Sequence, residues 1–157
     1  MKKKNDIYVL AGILFLIDFL VKRLIIYLIK EHSVITVIPN FFQILLVKNR
    51  GAAFSILENN TLLLILISVI FLLFLNNFIK KEKNFTKLSI LSLGMIMGGV
   101  FGNLLDRMIY KSVIDYLSFH LINYDFPIFN LADIFITVGT GLLLLSMLLE
   151  KRKEDNL

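Results

Sequence analysis

Apolar residues occupy four long, nearly unbroken stretches of this chain, and most polar residues lie between them. The stretches cover residues 7–29, 61–79, 88–109 and 131–149. At about 1.5 Å per residue, each is long enough for a helix to cross the roughly 30 Å hydrocarbon core of a bilayer. The pattern therefore predicts an all-α membrane protein with four transmembrane helices, in which residues 1–157 form a single integral membrane domain.

The two longer connecting segments differ from the helices in pattern. Residues 33–58 contain β-branched and aromatic runs separated by Pro39-Asn40 and by Asn49-Arg50-Gly51, which is typical of strands joined by turns. We expect a small extracytoplasmic β-unit there, on the membrane surface between helices 1 and 2. Asn49 and Gly51 are either turn residues only or part of a site. Residues 112–130 predict a flap loop that carries Asp115.

Composition supports the membrane class. The chain is 57% hydrophobic with a mean hydropathy of +0.80, which is too apolar for the surface of a soluble domain of this length. It contains no cysteine, so disulfides, thiolate metal sites and lipid attachment through sulfur are excluded.

The net charge of +5 is explained better by membrane topology than by nucleic-acid binding. Ten cationic residues flank one end of the predicted bundle, at both termini and between helices 2 and 3, against four at the other end. The positive-inside rule then predicts that both termini are cytoplasmic. The first apolar run is too long for a cleavable signal peptide, and no small-residue cleavage site follows it, so we interpret it as a retained span.

Charged and amide residues within the apolar stretches suggest a buried site. Asp18 and Lys22 are four residues apart on one helix face, and either form an ion pair that docks helices or support a site. Asn103, Asp106 and Arg107 share a face of the third helix, where the alternative is an interfacial cluster. In that helix Gly94, Gly98 and Gly102 recur every four residues, which predicts close helix packing. In the fourth, Asp133, Thr137 and Gly141 are predicted to face the bundle interior.

With helices of alternating direction, the polar residues converge on the outer half of the membrane. A charged residue facing lipid is costly, so residues from three helices at similar depth are expected to form one site. The expected members are Asp18 or Lys22, together with Asn103, Arg107, Asn130 and Asp133, and Asp115 lies just above them.

Two aspartates in such a site suit aspartyl hydrolysis of an amide. Because like charges in contact cannot both remain ionised, one of Asp115 and Asp133 is expected to stay protonated and polarise a carbonyl while the other deprotonates water. Which of the two holds the proton is left open by the sequence. His120 lies among aromatic residues in the loop and is interpreted as a surface residue.

Five short motifs in this order resemble those of the lipoprotein signal peptidases, or signal peptidase II, of bacterial plasma membranes. They are Asp18-Phe-Leu-Val-Lys22, Asn49-Arg-Gly-Ala-Ala-Phe54, Gly98-Gly-Val-Phe-Gly-Asn-Leu-Leu-Asp-Arg107, Val113-Ile-Asp-Tyr116 and Phe126-Pro-Ile-Phe-Asn-Leu-Ala-Asp133. The resemblance covers nearly the whole chain. The first motif departs from the family at Phe19 and Val21, where glutamine and threonine are common, which affects the hydrogen bonding expected around Asp18. Tyr116, where phenylalanine is usual, is a milder departure.

The resemblance implies a catalytic pair, a substrate and a location. Asp115 and Asp133 would be catalytic, and Asp18, Lys22, Asn49, Gly51, Asn103, Arg107 and Asn130 would bind substrate or support the site. The substrates would be prolipoproteins cut just before a cysteine that carries a diacylglyceryl group. The enzyme would act as a monomer in the bacterial plasma membrane, near the outer leaflet and in contact with membrane lipids, without cofactor, metal or nucleic acid.

Two other functions are compatible with intramembrane carboxylates. A proton-coupled transporter subunit would need polar groups along a continuous path, whereas these gather on one side, and no internal repeat is evident. A structural membrane protein would use the glycines of the third helix for assembly and leave the carboxylates without a chemical role.

Overall fold

The computed structural model describes residues 2–30, 33–51, 60–121 and 124–154, which form four helices and a small sheet. The helices are α1 (Lys2–Leu28), α2 (Thr61–Lys81), α3 (Lys87–Tyr110) and α4 (Leu131–Glu154). The strands are β1 (Val34–Ile38), β2 (Phe42–Asn49), β3 (Val113–Leu121) and β4 (Tyr124–Asp125). All four predicted helices are present, each with bounds within about five residues of those expected from hydropathy.

Three of the described helices are long and apolar enough to span a membrane. They are α2, α3 and residues Leu131–Glu150 of α4. Helix α1 has 27 residues and is also long enough, but Asp18, Lys22 and Arg23 interrupt its apolar sequence. Asp18 and Lys22 are both almost completely buried within the protein, at 0% and 2% exposure.

Helix α3 is the centre of the bundle and packs against both α1 and α4. Its glycines allow this: a Cβ atom at Gly98 would lie 2.8 Å from the carbonyl oxygen of Ala11 in α1, and one at Gly99 would lie 2.5 Å from that of Ala132 in α4. A Cβ at Gly102 would collide with the carboxylate of Asp18. The expectation that small residues permit close helix packing is therefore confirmed.

The face of α4 that enters the bundle differs from the predicted one. Ala132, Phe135 and Gly139 are buried, whereas Thr137 and Gly141 are exposed. A Cβ at Gly139 would lie 2.9 Å from Cβ of Met95, while one at Gly141 would have open space around it. The prediction is wrong because Ala132, Ile136 and Gly139, on the adjacent face, make the close contact with α3.

The sheet is antiparallel with strand order β1-β2-β3-β4. Strands β1 and β2 are the β-unit predicted between α1 and α2; its predicted portion at residues 52–58 lies outside the described residues. The prediction of a flap loop at 112–130 is wrong in its first half, because β3 pairs with β2 along most of its length. The sheet thus joins two segments that were expected to be separate.

Candidate active site

Asp133 lies in the first turn of α4, held by a reciprocal capping interaction. The backbone N–H of Asp133 donates to Oδ1 of Asn130 at 3.0 Å, and the backbone N–H of Asn130 donates to Oδ2 of Asp133 at 3.1 Å. This exchange between the N-cap and the third helical residue satisfies N–H groups that a helix end leaves unpaired. The local sequence that starts α4 therefore also fixes the orientation of the Asp133 carboxylate.

The sequence predicts Asp115 in a loop, but the structure places it in strand β3. It pairs with Val47 of β2, and its side chain is 2% exposed. The strand is buried on both faces from Val113 to Tyr116, so its sequence lacks the alternation that identifies a half-exposed strand. Pairing with β2 brings Asn49 close, and the Asn49 side chain donates from Nδ2 to Oδ2 of Asp115 at 2.9 Å.

Two asparagine side chains connect the aspartates. Asn130 donates from Nδ2 to Oδ1 of Asp115 at 2.6 Å, in addition to its capping contacts with Asp133. Asn103 in α3 donates from Nδ2 to Oδ1 of Asp133 at 2.7 Å, and its own Oδ1 accepts from Asn130 at 3.2 Å. Asp115 and Asp133 therefore belong to one hydrogen-bonded network, with Asn130 contacting both.

Beneath this network lies a buried cation with two carboxylates. The ammonium of Lys22 is 2.9 Å from Asp18, 2.8 Å from Asp106 and 2.9 Å from Oδ1 of Asn103. The contact with Asn103 orients its amide, because Oδ1 turned toward Lys22 leaves Nδ2 directed at Asp133. The predicted pairing of Asp18 with Lys22 is present, and it forms part of a larger cluster.

This cluster also anchors the two elements that carry the aspartates. Asp18 accepts from the backbone N–H of Ala132 at 2.9 Å, next to Asp133. Asp106 accepts from the backbone N–H of Ile114 at 3.1 Å, next to Asp115. Sequence reasoning placed Asp106 on the same helix face as Asn103 but did not include it in the site.

Arg107 and the Asn49–Gly51 turn form the edge of the network. The guanidinium of Arg107 donates to the carbonyl oxygens of Gly51 at 3.2 Å and Asn103 at 3.3 Å. The backbone N–H of Gly51 donates to Oδ1 of Asn49 at 2.9 Å, so the turn itself directs the Asn49 amide toward Asp115. Every residue that the sequence analysis selected for the site is thus within one connected set of contacts.

The electrostatics of Asp115 favour its protonated form. Burial raises the pKa of the Asp115 carboxyl to about 7, and the negative charge of Asp133 contributes to the increase, while hydrogen bonds from Asn49 and Asn130 oppose it. Near neutral pH, Asp115 can therefore hold a proton beside a carboxylate, which is the arrangement needed for acid and base to act in one step.

His120 lies apart from this network on the sheet. Its Nδ1 is 2.6 Å from Oδ1 of Asp125, whose side chain is largely exposed. In the described part of the chain, no three His, Cys, Asp or Glu side chains are grouped as a metal site would require. The hydrogen-bonded network around Asp115 and Asp133 can support acid–base catalysis by these two carboxylates.

Comparisons with known proteins agree with the geometry. The family model described as signal peptidase (SPase) II matches residues 10–149. A lipoprotein signal peptidase of Symbiobacterium thermophilum is 37% identical over 145 residues, covering 92% of this chain and 95% of that protein. A bacterial membrane enzyme solved by the in meso method at 2.3 Å superimposes with a TM-score of 0.85 and 29% identity, covering 92% and 88% of the two chains. A second bacterial membrane enzyme, solved by the same method at 1.9 Å, superimposes with a TM-score of 0.81 and 30% identity, covering 90% of this chain and 92% of that chain. This chain belongs to the signal peptidase II family.

Proposed function

We propose that this protein is an aspartyl endopeptidase with Asp115 and Asp133 as its catalytic pair. Its family makes it a membrane peptidase that removes signal peptides from prolipoproteins. The finer proposal is that it cuts just before a cysteine carrying a diacylglyceryl group. The observation that carries the proposal is that Asn130 donates to both carboxylates, from its side chain to Asp115 and from its backbone N–H to Asp133, which holds them in one hydrogen-bonded network.

Asp115 is the proposed acid and Asp133 the proposed base. Asp133 takes a proton from a water molecule as its oxygen attacks the scissile carbonyl carbon, and Asp115 donates its proton to the carbonyl oxygen. When the tetrahedral intermediate collapses, Asp115 recovers that proton. The cysteine nitrogen leaves as an amine with the proton held by Asp133. The raised pKa of Asp115 supports this division of roles.

Arg107 and the neighbouring turn are proposed to position the substrate. The guanidinium has donors beyond those used for Gly51 and Asn103, and it is only partly buried, so it can hydrogen-bond a peptide carbonyl. Asn49 and Gly51, next to Arg107, would hold the peptide beside Asp115. Lys22, Asp18 and Asn103 support the geometry from beneath without touching substrate.

The proposed topology has four crossings with both termini cytoplasmic. Helix α1 would be the fourth span, because its 27 residues extend about 40 Å and Lys22 contacts Asp18 inside the protein. The sheet would then lie at the outer leaflet, with the active site beneath it. Strand β1 supports this position, since every one of its residues is exposed and four of the five are β-branched aliphatics.

This orientation would present a lipid-anchored peptide to the carboxylates at the depth of its anchor. We propose the bacterial plasma membrane as the location and a monomer as the working form. The transporter and structural alternatives are not favoured, since the family is one of peptidases.

A cleavage assay tests the substrate and the chemistry together. Purified protein in lipid vesicles would receive one prolipoprotein in two forms, with and without the diacylglyceryl group on its cysteine. We expect mass spectrometry to find cleavage just before the modified cysteine, little cleavage of the unmodified form, and unchanged activity in EDTA. Equal cleavage of both forms would contradict the proposed substrate, and loss of activity in EDTA would contradict the metal-free mechanism.

A further inference from the structure

A groove lined by none of the residues of the candidate active site runs between α1 and α2, with α3 as its floor. It has a volume of about 380 Å³, and its lining is aliphatic, aromatic or thioether except for one polar pair. That pair closes one end: the hydroxyl of Tyr8 in α1 donates to Oδ1 of Asn76 in α2 at 2.8 Å. From Asn76 to Val69, the groove extends about 10 Å along α2.

The groove is open toward the surrounding hydrocarbon. Phe101 on its floor is 45% exposed although α3 is otherwise the most buried of the three spans. Leu73 on its wall is 64% exposed. A narrow apolar channel of this kind accommodates a flexible hydrocarbon chain better than a folded partner, which would need a broad surface.

Cationic side chains lie one helical turn beyond the polar pair. Lys4 precedes Tyr8 by four residues and Lys80 follows Asn76 by four, and the ammonium of Lys4 donates to the carbonyl oxygen of Lys80 at 2.6 Å. Nearby, Lys3 donates to the carbonyl oxygen of Phe85 at 2.9 Å. The basic end of the groove is defined by Lys3, Lys4, Lys80, Lys81 and Lys83.

Acidic residues near the basic end only partly offset its charge. Among the described residues, Asp6 and Glu82 are close in sequence to the five lysines, and Glu150 accepts a hydrogen bond from Ser146, which contacts Thr86. The Glu82 carboxylate accepts hydrogen bonds from the backbone N–H groups of Lys83 and Asn84 at 2.8 and 2.9 Å. Lys80 and Lys81 are exposed in the last turn of α2, and an ammonium can bind an anion there. The basic end therefore favours a negatively charged group.

We propose that this groove and its basic end bind one anionic phospholipid, with an acyl chain in the groove and the phosphate at Lys4 and Lys80. Basic pockets beside apolar inter-helix surfaces have the charge and shape that anionic lipid headgroups require. The site is separate from the carboxylates, and the inference does not depend on the proposed catalytic mechanism.

Lipid retention by the purified full-length protein tests this proposal. The protein in a non-ionic detergent would be titrated with dioleoyl phosphatidylglycerol or dioleoyl phosphatidylcholine, and bound lipids would be counted by native mass spectrometry. We expect one phosphatidylglycerol to be retained in preference to phosphatidylcholine. Removing Lys4 and Lys80 as K4Q/K80Q should weaken retention about fivefold per lysine.

Matched variants separate the site from general charge and general hydrophobicity. K30Q/K111Q removes the same charge at the opposite end of the bundle and should retain the lipid. Val69→Phe fills the groove and should reduce retention, whereas Ile70→Phe places the same aromatic side chain at an adjacent, 65% exposed position outside the groove and should not. Melting temperatures without added lipid would verify that each variant is folded.

The outcomes decide the proposal. Selective retention that is lost in K4Q/K80Q and Val69→Phe, and kept in both controls, supports the site. The proposal would be overturned by equal retention of the two lipids, or by losses in the control variants as large as those in the site variants. Unchanged retention in Val69→Phe would also overturn it, because surface charge alone would then explain the binding. Because the assay measures no cleavage, failure of the catalytic proposal would leave its result unaffected.

Discussion

Replacing either aspartate with asparagine should reduce kcat/KM for a diacylglyceryl prolipoprotein by about 10⁴-fold or more. The substitution keeps the shape of the side chain but removes the base at Asp133 or the acidic proton at Asp115. Since the two act in one step, the double variant should be little worse than either single variant. Cleavage rates in lipid vesicles, with each variant at matched concentration, measure the effect.

Asp125→Asn is the matched control for these variants. It makes the same chemical change at an exposed aspartate that contacts His120 and not the network. Its activity should remain near that of the unaltered protein. If Asp115→Asn or Asp133→Asn kept activity near that of this control, the proposed catalytic pair would be wrong.

Replacing Lys22 with methionine should cause the largest loss of stability among single substitutions in the bundle. The lysine is the cation between Asp18 and Asp106, and its removal leaves buried carboxylates without a counter-charge. Such a change costs about 3–5 kcal/mol. Thermal unfolding in a mild detergent should show a much lower midpoint. Protein that remains folded should cleave slowly, because Asn103 loses the contact that directs its amide to Asp133.

Arg23→Met serves as the comparison for Lys22→Met. Arg23 is the next residue, is only partly buried, and lies over the rings of Phe19 and Tyr110 at 4.8 and 4.9 Å. Loss of these exposed cation–π contacts should cost about 0.5–1 kcal/mol. Equal midpoints for the two variants would show that the buried ion cluster does not hold the bundle together.

The helices could be predicted closely because hydropathy and length act locally. Backbone groups in hydrocarbon must be hydrogen-bonded within the helix, so each apolar run specifies its own structure. The repeated glycines of α3 were also informative, since Gly98 lies against Ala11 of α1 and Gly102 against Asp18. The place of Asn130 and Asp133 at the start of α4 could also be predicted locally, because they are three residues apart where the apolar run begins.

The pairing of β3 with β2 could not be predicted in the same way. It joins segments more than 60 residues apart, as in the contact of Asn49 with Val113. Strand β3 is buried on both faces from Val113 to Tyr116, so no alternation marked it as a strand. Asp115 was consequently assigned to a loop, although its chemical role was inferred from its type and its neighbours.

Asp106 shows the limit of reasoning from one helix face. Its spacing from Asn103 and Arg107 was evident in the sequence, but its role depends on the backbone N–H of Ile114, which only the fold brings to 3.1 Å. The role of Asp18 likewise depends on a contact made only in the fold, with the backbone N–H of Ala132. Residues that support a site through another element's backbone leave no spacing pattern to detect.

The central claim is that Asp115 and Asp133 share one proton, and an infrared pH titration tests it most directly. The C=O stretch of protonated carboxyl groups would be followed in the purified protein and in both asparagine variants. We predict a band that titrates near pH 7, disappears in Asp115→Asn, and titrates at lower pH in Asp133→Asn, because the neighbouring negative charge is then gone. A band assigned to Asp115 that titrates near its ordinary pKa of about 4, or one unaffected by Asp133→Asn, would contradict the account.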